Sequence, residues 1–240
     1  MVVAVSAISY ASYLLLNLTS QQSGVILSAV LGGGYSSTAT TVALAERASG
    51  EQRWHLFSGS ILIASGVMYL RLTLLLLLFS RRLLAMLGLP FMGLCFIAML
   101  GGWLWSRLPD AASGQKTKRH FVPRNPLELR VAFLFAILFV GLLVLTGLVI
   151  THLGRSGVYF LSGIVGLVDV DPFVLGMTQS AGSLTPISSA ATSIVIAVAS
   201  NNVVKGIYAF AFADRKTGRQ SLGLLACLGL LGLTPLAILP

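Results

Sequence analysis

Four ionisable side chains stand inside apolar runs long enough to cross a bilayer. Asp169 and Asp171 lie in Gly166-Leu167-Val168-Asp169-Val170-Asp171-Pro172, Lys205 follows Asn201-Asn202-Val203-Val204, and Arg71 sits between Leu70 and Leu72. At bilayer depth such a group costs at least about 2.5 kcal/mol, so it persists where it faces protein, water or a bound ion. Two charges of either sign can neutralise one another, or hold a charged solute and exchange partners around it. Pro172 removes one N–H from the helical ladder, and Asp171 before it reads as the N-cap of a new helix. The chain is expected to break there at mid-membrane, with Asp169 capping nothing obvious. A second break is expected where Gly32-Gly33-Gly34 runs into Ser36-Ser37-Thr38-Ala39-Thr40-Thr41. Each glycine weakens a helix by about 1 kcal/mol relative to alanine, and the hydroxyls can satisfy freed backbone groups. The candidate solute- or ion-binding residues are therefore Asp169, Asp171, Asn201, Asn202, Lys205, Arg71, Ser36, Ser37, Thr38 and Thr40. A plainer reading stands beside this one: a buried ion pair locking helices together, a glycine packing surface, and hydroxyls bonded to their own preceding carbonyls.

The elements that must position these residues are helices in a membrane. Hydrophobic residues make up 56% of the chain and charged ones 10%, with a mean hydropathy of +0.90, outside the range of a soluble globular domain. The net charge of +9 sits in loops between apolar runs, as topology determinants do, and forms no stripe for nucleic acid. Cys95 and Cys227 lie within apolar runs without CxxC spacing, and His55, His120 and His152 are scattered. No metal site, cofactor loop or nucleophile with its base can be assembled, so the expectation is a protein that is not an enzyme and holds no cofactor.

Apolar runs cover residues 2–18, 24–45, 56–79, 83–105, 127–153, 158–178, 187–212 and 221–239. The first lacks a basic leader and a cleavage site and is read as a mature helix. The basic stretch 107–126 divides a first transmembrane repeat, 1–106, from a second, 127–240. Shifting the first half by 134 residues lays Gly32 on Gly166, Ser37 on Asp171, Arg71 on Lys205 and Arg81-Arg82 on Arg215-Lys216. The fold class expected is all-α: a polytopic bundle of about eight spans, an internal two-fold repeat, and a broken second helix in each half. Four spans per half favour copies of the same orientation, with Arg81, Arg82, Arg215, Lys216 and Arg219 on one side of the membrane; a re-entrant hairpin at one of the breaks would change this parity, so parallel and inverted copies both stay open.

The stretches Ser36-Ser37-Thr38-Ala39-Thr40-Thr41-Val42-Ala43, Asn125-Pro126-Leu127-Glu128-Leu129-Arg130, Gly166-Leu167-Val168-Asp169-Val170-Asp171 and Asn202-Val203-Val204-Lys205, in this order, resemble the uncharacterised membrane domain that follows the MgtC/SapB domain in many bacterial proteins. The resemblance spans nearly the whole chain. It implies a protein of the bacterial cytoplasmic membrane, loosely magnesium-related through its neighbour, with an MgtC/SapB-type protein or a second copy of itself as partner. Two functions follow as expectations. One is a transporter or channel for a small solute or ion, its site at the midplane between the repeats. The alternative is a non-transporting membrane subunit that binds or regulates another complex.

Overall fold

The computed structural model describes residues 24–110, 129–167 and 170–237. Among them the elements are α1 (Val25–Ala48), α2 (Trp54–Phe79), α3 (Arg81–Ser106), α4 (Leu129–Val165), α5 (Val170–Ser180), α6 (Ile187–Phe212), α7 (Arg215–Gly232) and a closing 3-10 turn, Thr234–Ala237. The run 2–18 and most of the basic linker lie outside the described residues. Among the described residues four helices are long and apolar enough to span a membrane: Trp54–Phe79, Arg81–Ser106, Ile187–Phe212 and Arg215–Ala237. The eighth expected run therefore starts six residues earlier than its apolar stretch. Asp214 is the cause, its carboxylate accepting from Lys216 N (3.0 Å) and Thr217 N (3.1 Å) and so capping α7. Ser80 does the same at the head of α3, accepting from Leu83 N.

α2 and α6 are the most buried of the long helices, with exposure confined to residues such as Leu77 and Leu78 of α2 and Ile207 and Phe210 of α6. α3 instead turns Leu89 (85% exposed) and Phe96 (66% exposed) outward, a face suited to lipid chains. Small residues set the inner spacing. A Cβ on Gly33 would lie 2.8 Å from the Ala64 backbone of α2, and one on Gly166 would lie 2.6 Å from the Ala197 carbonyl of α6. Backbone cannot give way as a flexible side chain can, so glycine is required at both points.

The two sets of helices run in opposite senses. Ser49, after the end of α1, donates to the carbonyl of Phe212, at the end of α6 (3.0 Å). Ser58 near the start of α2 and Trp105 near the end of α3 both donate to Gln220 Oε1 in the first turns of α7 (3.0 and 3.3 Å), and Lys216 lies 4.2 Å over the ring of Trp54. One end of the bundle therefore gathers the finish of α1, α3 and α6 with the start of α2 and α7. α2 is antiparallel to α6, and α3 to α7. α5 reaches the opposite end, where a tight turn through Gly182 (φ 84°) leads into α6. Of the two arrangements that counting spans left open, these helix directions agree with the inverted one, which an odd number of crossings between the sets would produce. Arg215, Lys216 and Arg219 are moved by this to the end opposite Arg81 and Arg82.

The distribution of cations now has a direction. Arg47, Arg53, Arg107, Arg215, Lys216 and Arg219 share one end with Trp54, Trp103 and Trp105, and the other carries Arg81 and Arg82. The positive-inside rule assigns the cation-rich end to the cytoplasm. In a background lacking Cys95 and Cys227, Ser183→Cys should react with a membrane-impermeant maleimide in spheroplasts, and Gln52→Cys should react only after lysis; the reverse pattern would invert the assignment. Gly33→Ala and Gly166→Ala should each destabilise the purified protein by about 1–3 kcal/mol through overpacking. Gly93→Ala, whose Cβ would meet nothing within 4 Å, should be neutral or stabilising in the same melting experiment.

Candidate functional site

α1 is one helix by its ends and two by its backbone. Ser36 is extended (φ −156°, ψ 106°) and its Oγ accepts from Ala39 N (3.3 Å), so it serves as N-cap of a second segment, Ser37–Ala48. The glycine run thus ends the first segment with unsatisfied carbonyls midway along α1, which water would normally cover. Arg71 of α2 covers them instead. Its Nη1 donates to the carbonyls of Tyr35 (2.7 Å) and Gly34 (3.3 Å), placing a cation at the negative end of the helix dipole. Its Nη2 forms an ion pair with the Asp171 carboxylate of α5. Arg71 is 9% exposed and Asp171 2%, about 12 Å along α2 from its end at Phe79.

The second set solves its break with neutral groups. Asn201 Nδ2 donates to the Gly166 carbonyl (2.9 Å), and Ser200 Oγ donates to that of Gly163 (2.7 Å). α5 then begins at Val170, so Asp171 lies within the first turn and does not serve as the N-cap that Pro172 suggested. A carboxylate in a first turn is still favoured by the helix dipole. Asp169 lies outside the described residues.

Between the breaks is a cavity of about 60 Å³ lined by Ser36, Ser37, Thr38, Met68, Arg71, Val170 and Asn201. The N-terminal turns of Ser37–Ala48 and of α5 both meet it. Asn202 and Lys205, also expected here, serve the adjoining crossing of α2 and α6: Asn202 Nδ2 donates to the Tyr69 hydroxyl (2.9 Å), and Lys205 Nζ, wholly buried, lies 3.0 Å from Met68 Sδ. Thr40 is buried against Gly32, off the cavity wall. Met68 and Tyr69 were not among the expected residues. Met68 precedes Arg71 by three positions, on the same helix face, and that spacing was a usable signal.

Among the described residues no three His, Cys, Asp or Glu side chains are grouped to hold a metal ion. No solved structure matches the chain. An uncharacterized protein of Aquifex aeolicus (strain VF5) is 29% identical over 197 residues, covering 80% of this chain and 84% of that one. Membrane-spanning helices and a bacterial relative make this an integral bacterial membrane protein. The family described as "Domain of unknown function (DUF4010)" matches residues 3–213, nearly the whole chain, and the protein belongs to that family, which is associated with the MgtC/SapB domain in many genomes.

Proposed function

We propose that the protein is a transporter or channel for a small solute or ion, built as two inverted copies of one three-element unit with its site between them, and that its role is not enzymatic. The observation that carries this reading is the polar cavity midway along the helices, bounded by a helix break from each half and by the Arg71 guanidinium. A packed subunit with structural charges alone would gain nothing from interrupted helices around a polar void, because each break leaves backbone groups that must be satisfied.

The repeat has support in the contacts. α2 and α6 are both 26 residues long and end 133 positions apart (212 − 79). Gly33 packs on Ala64 and Gly166 on Ala197, the same shift (166 − 33 and 197 − 64). The shift becomes 134 at the helix caps Ser80 and Asp214. In the 133 register Met68 pairs with Asn201, both on the cavity wall, and Tyr69 with Asn202, which bond each other, as residues beside a two-fold axis can. Inverted repeats of this kind allow two nearly equivalent arrangements opening to opposite sides, with the solute held at the interface.

An aqueous route to the cavity is the property that separates this function from a static membrane subunit. In a background lacking Cys95 and Cys227, Ser37→Cys should be modified by a small water-soluble methanethiosulfonate reagent, and modification should block flux in proteoliposomes. The flux screen should cover small anions and divalent cations. A Cys at position 37 that stays unreactive, in wild-type-like protein that moves none of these solutes, would leave the regulatory subunit as the better reading.

A further inference from the structure

We infer that the solute is a small inorganic anion, and that it binds by displacing the Asp171 carboxylate from Arg71, so that a proton on Asp171 accompanies each anion. This rests on the transport reading above and adds to it the sign of the solute and the coupling ion.

Among the described residues the cavity wall holds one formal charge, the Arg71 cation, and the others lining it are Ser36, Ser37, Thr38, Met68, Val170 and Asn201. The N-terminal turns of two helices, Ser37–Ala48 and α5, present partial positive charge to the same space from opposite halves. Ser36 Oγ already satisfies Ala39 N, which leaves the backbone N–H groups of Ser37 and Thr38 for a ligand. An independent feature points the same way. The Ser37 side chain is 7% exposed, lines the cavity and has a hydroxyl that makes no hydrogen bond among the described residues. A buried hydroxyl aimed into a polar space normally finds a partner, and an anion would supply one. The volume of about 60 Å³ has room for a halide or a planar oxyanion of a few atoms.

Coupling follows from the ion pair. With Asp171 ionised, Arg71 is engaged by the carboxylate and by the Tyr35 and Gly34 carbonyls. An anion added beside a neutral pair would leave net negative charge at bilayer depth, which is strongly disfavoured. A proton taken up by Asp171 removes the competing carboxylate and leaves the Arg71 cation to the anion, so the loaded site keeps its net charge. Among the described side chains, the charged groups on the helices packed about α5 are Arg71 of α2 and Lys205 of α6; the nearby part of α1 offers hydroxyls and carbonyls, and the end of α4 offers the carbonyls that Ser200 and Asn201 already cover. Arg71 is the one of these two cations that lines the cavity.

Proteoliposomes of the full chain, loaded with potassium chloride or potassium nitrate and given valinomycin, test both clauses with an anion electrode and an internal pH dye. Wild-type anion efflux should rise as pH falls from about 7.5 to 5.5, by up to about tenfold per unit, the limit for one linked proton. Protons should move with the anion. Asp171→Asn should carry the anion without protons and with a flat pH profile, Asp171→Glu should keep the wild-type profile if the Asn protein proves unstable, and Arg71→Met should carry none. In parallel vesicles without valinomycin, loaded with potassium or magnesium salts and read with cation-selective electrodes, wild-type protein that moves either cation but neither anion would overturn this inference and leave the transport reading intact. Anion flux that ignores pH in the wild type, or keeps its pH dependence in Asp171→Asn, would overturn the exchange. Absence of any flux would overturn both readings.

Discussion

The structure depends on where the Arg71 guanidinium points. One edge closes the carbonyls left open at the end of the first α1 segment, and another pairs with Asp171 in the first turn of α5. A single cation thereby ties the break in one set of helices to the break in the other. Without it, α1 would present bare carbonyls to the interior of a membrane protein, and Asp171 would be an uncompensated carboxylate there. Both conditions are costly at low dielectric, and together they explain why an arginine is tolerated so far from either end of α2.

The inverted sense of the two sets gives this pairing its geometry. Because α2 and α6 are antiparallel, their middles cross where Tyr69 meets Asn202, and the breaks of both sets fall beside that crossing. The same inversion gathers Arg47, Arg53, Arg107, Arg215, Lys216 and Arg219 with three tryptophans at one end. Cation distribution and helix direction are two consequences of one topology.

Much of this was legible in the sequence because its causes are local. Three glycines before a run of hydroxyls, a proline after two carboxylates, and cations inside apolar runs each violate the rules of a lipid-facing helix, and the energetic penalty points to pairing. The direction of the second set was not legible. It is fixed by contacts such as Ser49 to Phe212, between residues 163 positions apart, whereas counting apolar runs left parallel and inverted copies both open. The shift of 134 rested on the chemical likeness of Arg71 and Lys205, whereas the close backbone contacts of Gly33 with Ala64 and of Gly166 with Ala197 recur at 133. Among the candidate side chains, residue type selected Thr40 and Asn202 but could not say where they point. A helix turns by about 100° per residue, so Thr40 faces Gly32 while Ser37 faces the cavity, and Asn202 faces Tyr69 while its neighbour Asn201 lines the site.

The central claim is that Arg71 and Asp171 act as one unit joining the two breaks. The most direct test is a double-mutant cycle in thermal stability, using Arg71→Met, Asp171→Asn and their combination in the purified protein. Each single change strands a buried charge or its partner carbonyls and should cost about 3–5 kcal/mol, while the double change should cost far less than the sum. Additive losses, or single variants as stable as the wild type, would contradict the account.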